Sequence, residues 1–150
     1  MSIKFQFRGN LEDGHLTPAQ VGTVASPLVS ADAQKSVKYG AQDNVLLCGD
    51  GDEISSFLVS VEPTITGDGF KLGNIVEVEV GTRHKAVVAA GSPTVVAGTT
   101  LVVSAAQSAS GTADAYPKVK TGTPSIYRWI VRSILSGAGA AGSIVLLERV

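Results

Sequence analysis

Apolar and polar residues alternate with a period of two in several stretches of this chain. In ISSFLVSVE, the side chains of Phe57, Val59 and Val61 fall on one side and mostly serines fall on the other. IKFQF (3–7) and NIVEVEVG (74–81) show the same alternation. Because successive side chains of a β-strand point to opposite faces, these stretches predict strands with one buried face.

Further apolar runs rich in β-branched residues are separated by turn-forming clusters of Gly, Pro and Asp. The runs are KAVVAAG (85–91), TTLVVS (99–104), YRWIVRSIL (127–135) and SIVLLERV (143–150). Strands at such short spacing predict an all-β fold, either a small β-barrel or a sandwich, with little helix. A helix is plausible only within TPAQVGTVAS (17–26) or SADAQKSVKYG (30–40), and both are short and interrupted.

The chain shows no long linker and no repeat of fixed period. Its first residues differ from the rest, because one alternating stretch is followed by polar turn residues and then by Pro18. These residues fit two interpretations: the first strand of the sheet, or an extended N-terminal arm over 1–17 that precedes a single β domain over 18–150.

Composition narrows the class of protein. The 150 residues carry a net charge of −1, so there is no basic excess to neutralise phosphates and we expect no nucleic-acid partner. Charged residues make up 17%, against roughly 25% in ordinary globular domains. This low charge fits either a soluble monomer rich in small residues or a subunit covered by other copies or by a larger assembly.

We expect synthesis in the cytoplasm and no membrane association, since no apolar run approaches the ~18 residues of a membrane helix.

The glycines at positions 137, 139 and 142 match the dinucleotide-binding pattern G-x-G-x-x-G. That motif requires a helix after it and an acidic residue about 20 positions further on. The following stretch, SIVLLERV, is apolar, β-branched and too short for that helix. We therefore predict a hairpin of small residues between the last two strands, without a nucleotide cofactor.

No other pattern in the sequence predicts a catalytic or metal site. His15 and His84 are far apart in sequence, and His84, flanked by Arg83 and Lys85, is expected at a solvated strand end. The acidic stretch GDGDE (49–53) lacks the calcium-loop spacing and predicts a tight turn whose aspartates bond backbone N–H groups.

Cys48 lies in an apolar run and is expected to be a small buried residue. We expect no catalytic residues, no metal and no cofactor. A small hydrolase or ligand-binding barrel that uses His84 or the acidic turn stays open as an alternative.

One long segment resembles a known family. It contains a G-D-x-I turn at 51–54, a strand FLVSVE at 57–62, a Gly/Asp loop at 66–69 and a V-x-V-x-V stretch at 76–80. With the later YPKVKTG and YRWIVRSILSGAGAAGSIVLLERV, residues 37–150 are similar to the capsid decoration (cement) proteins of tailed bacteriophages.

The resemblance implies a non-enzymatic protein of the virion. Such proteins bind the major capsid protein on the outer surface of the head, commonly as homotrimers at or near local three-fold axes, and stabilise the expanded shell. Another structural β-module of a virion, from a tail, baseplate or fibre, is the alternative.

In that family the N-terminal segment often reaches onto the shell. The resemblance therefore implies capsid contacts, by addition of a strand to a sheet edge, from Ile3, Lys4, Phe5, Gln6, Phe7 and Arg8. Tyr127, Trp129 and Val131 share one side of their strand and predict core or interface. Arg128 and Arg132 lie on the other side, where we expect contacts with another subunit or with the capsid.

Overall fold

The computed structural model describes residues 16–77 and 79–150, and this part of the chain is built from ten strands. The strands are β1 (Leu16–Val21), β2 (Ser36–Tyr39), β3 (Asn44–Leu47), β4 (Ser56–Ile65), β5 (Lys71–Val76), β6 (Arg83–Val88), β7 (Leu101–Ser104), β8 (Lys118–Thr121), β9 (Trp129–Ser136) and β10 (Ile144–Arg149). One 3-10 turn, Ser30–Asp32, is the only helical element among these residues. The prediction of an all-β fold is confirmed.

The strands close into two barrels of five strands each. The first barrel runs β1-β3-β2-β4-β5, and the second runs β6-β8-β7-β9-β10. Strand β1 begins at Leu16, within the range predicted to be the arm. Residues 1–15 lie outside the described residues, as do the predicted capsid contacts Ile3, Lys4, Phe5, Gln6, Phe7 and Arg8.

The two barrels have the same topology. In each, the first strand pairs in parallel with the third over two residues and antiparallel with the fifth. The remaining three pairings are antiparallel in both barrels. Individual backbone bonds also correspond: Gly22 N–H donates to Val45 O as Ala89 N–H donates to Val119 O, both at 2.8 Å. The chain is therefore a structural duplication of one five-stranded unit.

The strand registers define which positions of the two barrels are equivalent, and the equivalent interior positions are all buried and aliphatic. The pairs are Val21 and Val88, Val37 and Val102, Val45 and Val119, Leu58 and Val131, and Ile75 and Leu147. Each barrel thus fills its interior with the same pattern of Val, Ile and Leu, which suits closely packed strands.

The duplication produces no fixed period because the connecting segments differ in length. The β2–β3 connection spans residues 40–43, whereas its equivalent between β7 and β8 spans 105–117. The longer segment reaches back onto the first barrel, where Asp32 and Lys35 form a fully buried ion pair of 2.8 Å. Gly111 N–H donates to Asp32 at 2.9 Å, and Lys35 donates to Ala109 O at 3.1 Å.

A β-bulge that occurs in both barrels changes which side chains of β4 lie on the same face. The register against β5 shifts by one residue between Leu58 and Ser60, and the equivalent shift occurs in β9 between Val131 and Ser133. Because a bulge reverses the alternation, Val61 packs into the first barrel's core, while Phe57 and Val59 pack toward the second barrel. The prediction that all three share one face is wrong.

The two stretches in which a helix was plausible are mostly strand. Strand β1 occupies Leu16–Val21, and the stretch 30–40 forms the 3-10 turn and β2. Pro18 is tolerated in β1 because, among the described residues, only β5 pairs with positions 16–19. Strand β5 is shorter than the alternation in NIVEVEVG predicts. It ends at Val76, and Val80 lies in a turn, where it is 79% exposed.

Phe57 joins the two barrels. It projects from β4 into the second barrel's core, where its ring stacks on His84 at 4.2 Å and meets the edge of Trp129 at 5.0 Å between centroids. Cys48, Ile54 and Val76 belong to the same buried cluster. His84 is only 5% exposed, so its predicted position at a solvated strand end is wrong.

We expect Phe57→Ala to lower the free energy of unfolding by about 3–5 kcal/mol, because it empties a fully buried aromatic site. Ile65→Ala in the same strand is the matched control, and its effect should stay within about 0.5 kcal/mol because Ile65 is 59% exposed. Urea unfolding followed by fluorescence of Trp129, the single tryptophan, measures both changes. If the urea midpoint measured by Trp129 fluorescence were the same in Phe57→Ala as in the wild type, the coupling of the two barrels would be contradicted.

Candidate interaction surface

The glycine-rich segment forms the hairpin between β9 and β10, as predicted. Gly137 and Gly139 have positive φ angles of 80° and 92°, which glycine adopts without strain. A Cβ at Gly137 would collide with Ser143 Oγ, and one at Gly139 would collide with Val95 O. Gly139 N–H also donates to Ser143 Oγ at 2.9 Å. The conformation of these glycines is explained by a tight turn and close backbone packing.

The acidic turn at 49–53 is held by its own carboxylates, as predicted. Asp52 accepts a hydrogen bond of 2.7 Å from Gly49 N–H and forms an ion pair of 2.7 Å with Lys38. The hydrogen bond from Lys38 holds the pKa of Asp52 below its usual value. Asp50 pairs with Lys120 at 2.9 Å. Within the described ranges, no group of three or more His, Cys, Asp or Glu could hold a metal ion.

Glu53 links the first barrel to the second, a role that sequence reasoning missed. Its carboxylate accepts hydrogen bonds of 2.8 Å from the backbone N–H groups of both Ile126 and Tyr127, and one of 3.1 Å from Ser125 Oγ. The bond from Tyr127 N–H is the main reason that the pKa of Glu53 falls to about 2. Glu53 therefore fixes the segment that leads into β9.

This anchored segment completes an exposed surface that we call the Tyr39 surface, formed by Tyr39, Ile126, Tyr127, Arg149 and Val150. Tyr39 and Tyr127 are 6.1 Å apart between ring centroids. Tyr39 is 51% exposed, Ile126 70% and Val150 42%. Exposed aromatic and aliphatic side chains beside an arginine are typical of the central residues of protein interfaces.

Arg149 lies against aromatic rings at this surface. Its guanidinium carbon is 5.0 Å from the Tyr127 ring centroid and 5.9 Å from that of Trp129. Its Nε and Nη1 atoms are buried and have no hydrogen-bond acceptor in the described part of the chain. Burial lowers the pKa of Arg149, and the ring faces supply the compensating attraction.

The two predicted contact arginines occupy different surroundings. Arg128 is exposed beside Tyr127, and its carbonyl accepts a hydrogen bond of 3.0 Å from Val150 N–H, so it borders the Tyr39 surface. Arg132 instead pairs with Glu148 at 2.6 Å, and Arg83 lies 3.5 Å from the same carboxylate. The structure therefore gives Arg132 a partner within the chain.

An open cleft of about 360 Å³ adjoins the Tyr39 surface at one end of the first barrel. Its lining includes Thr17 and Ala19 of β1, Val45, Ile75 and the Tyr39 ring. The cleft is open because β1 pairs with β3 only at its last two residues, leaving 16–19 without a described strand on that side. Tyr39 thus belongs to both the cleft and the exposed surface.

Comparison with known proteins adds no relative: no family model, no curated protein and no solved structure matches the chain. Within the described residues, no helix has the length and apolar character needed to span a membrane.

We expect Glu53→Gln to destabilise the protein by about 1–3 kcal/mol at pH 7, because three charge-assisted hydrogen bonds are weakened. The ordinary pKa of a glutamate is 4.5, so this contribution is present above that pH and is lost as the pH falls toward 2. Urea midpoints of the wild type and the variant should therefore converge near pH 2. Exposed Glu62→Gln is the control, and an equal loss there would contradict the role of Glu53.

Proposed function

We propose that this protein is a capsid decoration protein that binds the outer surface of a tailed-bacteriophage head as a homotrimer and stabilises the expanded shell. The observation that carries the proposal is the place where the chain enters the first barrel. Leu16 immediately precedes Thr17, which lines the same cleft as Tyr39. Strand β1, which follows the alternating N-terminal segment in sequence, therefore begins beside the exposed aromatic surface.

The resemblance of residues 37–150 to the decoration family supports this proposal, and the chemistry of that end suits a protein partner. An alternating segment such as IKFQF binds an exposed sheet edge through backbone hydrogen bonds while its apolar side chains enter pockets. Tyrosine and arginine side chains add contact area at a small entropic cost. The major capsid protein is the proposed partner.

Stabilisation of a shell needs no catalytic step. A ligand that binds only the expanded lattice favours that state by mass action, and many copies act together. The surroundings of the side chains that a hydrolase would need argue for this non-catalytic role. His84 is stacked beneath Phe57, and burial raises the pKa of the Cys48 thiol to about 12.

Co-sedimentation with expanded and unexpanded heads tests the proposal. The wild type should bind expanded heads preferentially, and light scattering after size exclusion should give the mass of a trimer. A strict monomer that fails to bind heads would refute the proposal, and binding only to tails or baseplates would favour the other virion β-modules.

We expect deletion of residues 1–10 to weaken head binding by about tenfold or more while the two barrels stay folded, because it removes the segment that adds to the shell. Ile126→Asp should also weaken binding, since it places a charge in the Tyr39 surface. Ile65→Asp is the matched control, because Ile65 is exposed and lies at the opposite end of the first barrel. Unchanged affinity after the deletion would reject the role of the arm.

A further inference from the structure

One end of the second barrel is covered by the first barrel, whereas the equivalent end of the first barrel is open among the described residues. In the second barrel this end, at His84, Ala86 and Ser104, is covered by the first barrel. Phe57 stacks on the His84 ring, and Gly51 N–H donates to Ser104 O at 2.8 Å. Ser104 N–H in turn donates to Asp52 O at 2.9 Å. An aromatic side chain and an adjoining backbone segment therefore close this end.

The equivalent end of the first barrel forms part of the open cleft, whose lining also includes the polar residues Gln20, Asp43 and Asn44. Thr17 pairs with Ile75 as His84 pairs with Leu147, and the same register makes Ala19 equivalent to Ala86. Tyr39 pairs with Val45 as Ser104 pairs with Val119, so Tyr39 is equivalent to Ser104. Thr17, Ala19 and Tyr39 all line the cleft, which no described residue fills.

We infer that this cleft is the docking site for the N-terminal segment of the same chain, with Phe5 or Phe7 taking the place that Phe57 takes in the second barrel. The chain contains four phenylalanines. Phe57 and Phe70 are buried among the described residues, which leaves Phe5 and Phe7. Both belong to IKFQF, whose alternation puts Ile3, Phe5 and Phe7 on one side.

The length of chain before β1 permits this docking. Residues 8–15 separate IKFQF from Leu16, and eight extended residues span up to ~27 Å. Such a short tether gives an effective concentration of about millimolar. Backbone hydrogen-bonding groups are also available to the segment, because residues 16–19 of β1 pair only with β5 among the described strands. A strand added there would satisfy that edge.

A second copy of the chain is a weaker candidate than the N-terminal segment for the occupant of the cleft. The face of the second barrel that corresponds to the Phe57 face carries Ile130, Arg132 and Glu148. Arg132 and Glu148 are equivalent to the apolar Val59 and Val76, and they form an ion pair of 2.6 Å. That charged face suits solvent rather than insertion into a cleft whose lining is mostly uncharged. The inference concerns the free protein and holds whatever the protein binds.

Disulfide trapping in the free, full-length protein tests the docking. Arg8→Cys, which leaves Phe5 and Phe7 in place, is combined with Tyr39→Cys at the cleft or, as the control, with Ile65→Cys at the opposite end of the same barrel. The native Cys48 does not interfere, because it is 4% exposed and its pKa is raised to about 12. The Tyr39 pair should close within one chain at least about tenfold faster than the Ile65 pair. Equal rates, or cross-links between chains, would overturn the inference.

Hydrogen exchange gives a second measurement without cysteines. The double variant Phe5→Ala and Phe7→Ala should speed amide exchange in residues 16–20 by about tenfold, because the edge of β1 loses its cover. The variant Lys4→Ala and Gln6→Ala alters the opposite side of the same segment and should leave that exchange unchanged. Identical exchange in the wild type and both variants would show that the segment does not dock there.

Discussion

The insertion of Phe57 into the second barrel is the contact on which the described structure depends. The ring lies between His84 and Trp129, and the Trp129 indole N–H donates to Ile54 O at 2.9 Å. Small barrels bury limited apolar surface, so each gains stability by sharing a core with the other. Glu53 and the buried pair of Asp32 and Lys35 then add directional bonds across the same boundary. Two copies of one unit become a single folded body through these contacts.

The duplication explains why two equivalent ends of the barrels differ. Two equivalent barrels joined in tandem cover only one of these ends, and the end that no described residue covers lies at Thr17, Ala19 and Tyr39. The other outer face carries the pair of Arg132 and Glu148, which suits solvent. The N-terminal segment enters beside the uncovered end, so the features proposed for docking and for capsid binding are close together.

Much of the strand pattern could be predicted because alternation and β-branched runs are local properties. The strands around Phe57, Val102, Trp129 and Leu147, and the hairpin at 137–142, follow from composition and spacing. The one-residue bulge after Leu58 could not be predicted, because it arises from pairing with β5 and reverses which side Val61 occupies. Glu53 was expected to be part of a solvated turn, since its partners lie more than 70 residues away.

The sequence by itself determined the class of fold, the positions of most turns and the low surface charge, since these depend on neighbouring residues and composition. Tertiary structure alone decided that the strands close into two equivalent barrels and that His84 is buried under Phe57. It also decided that Tyr39, Ile126 and Arg149 share one surface. The physical reason is that long-range pairing sets these arrangements, and connections of unequal length hide the repeat from any fixed period.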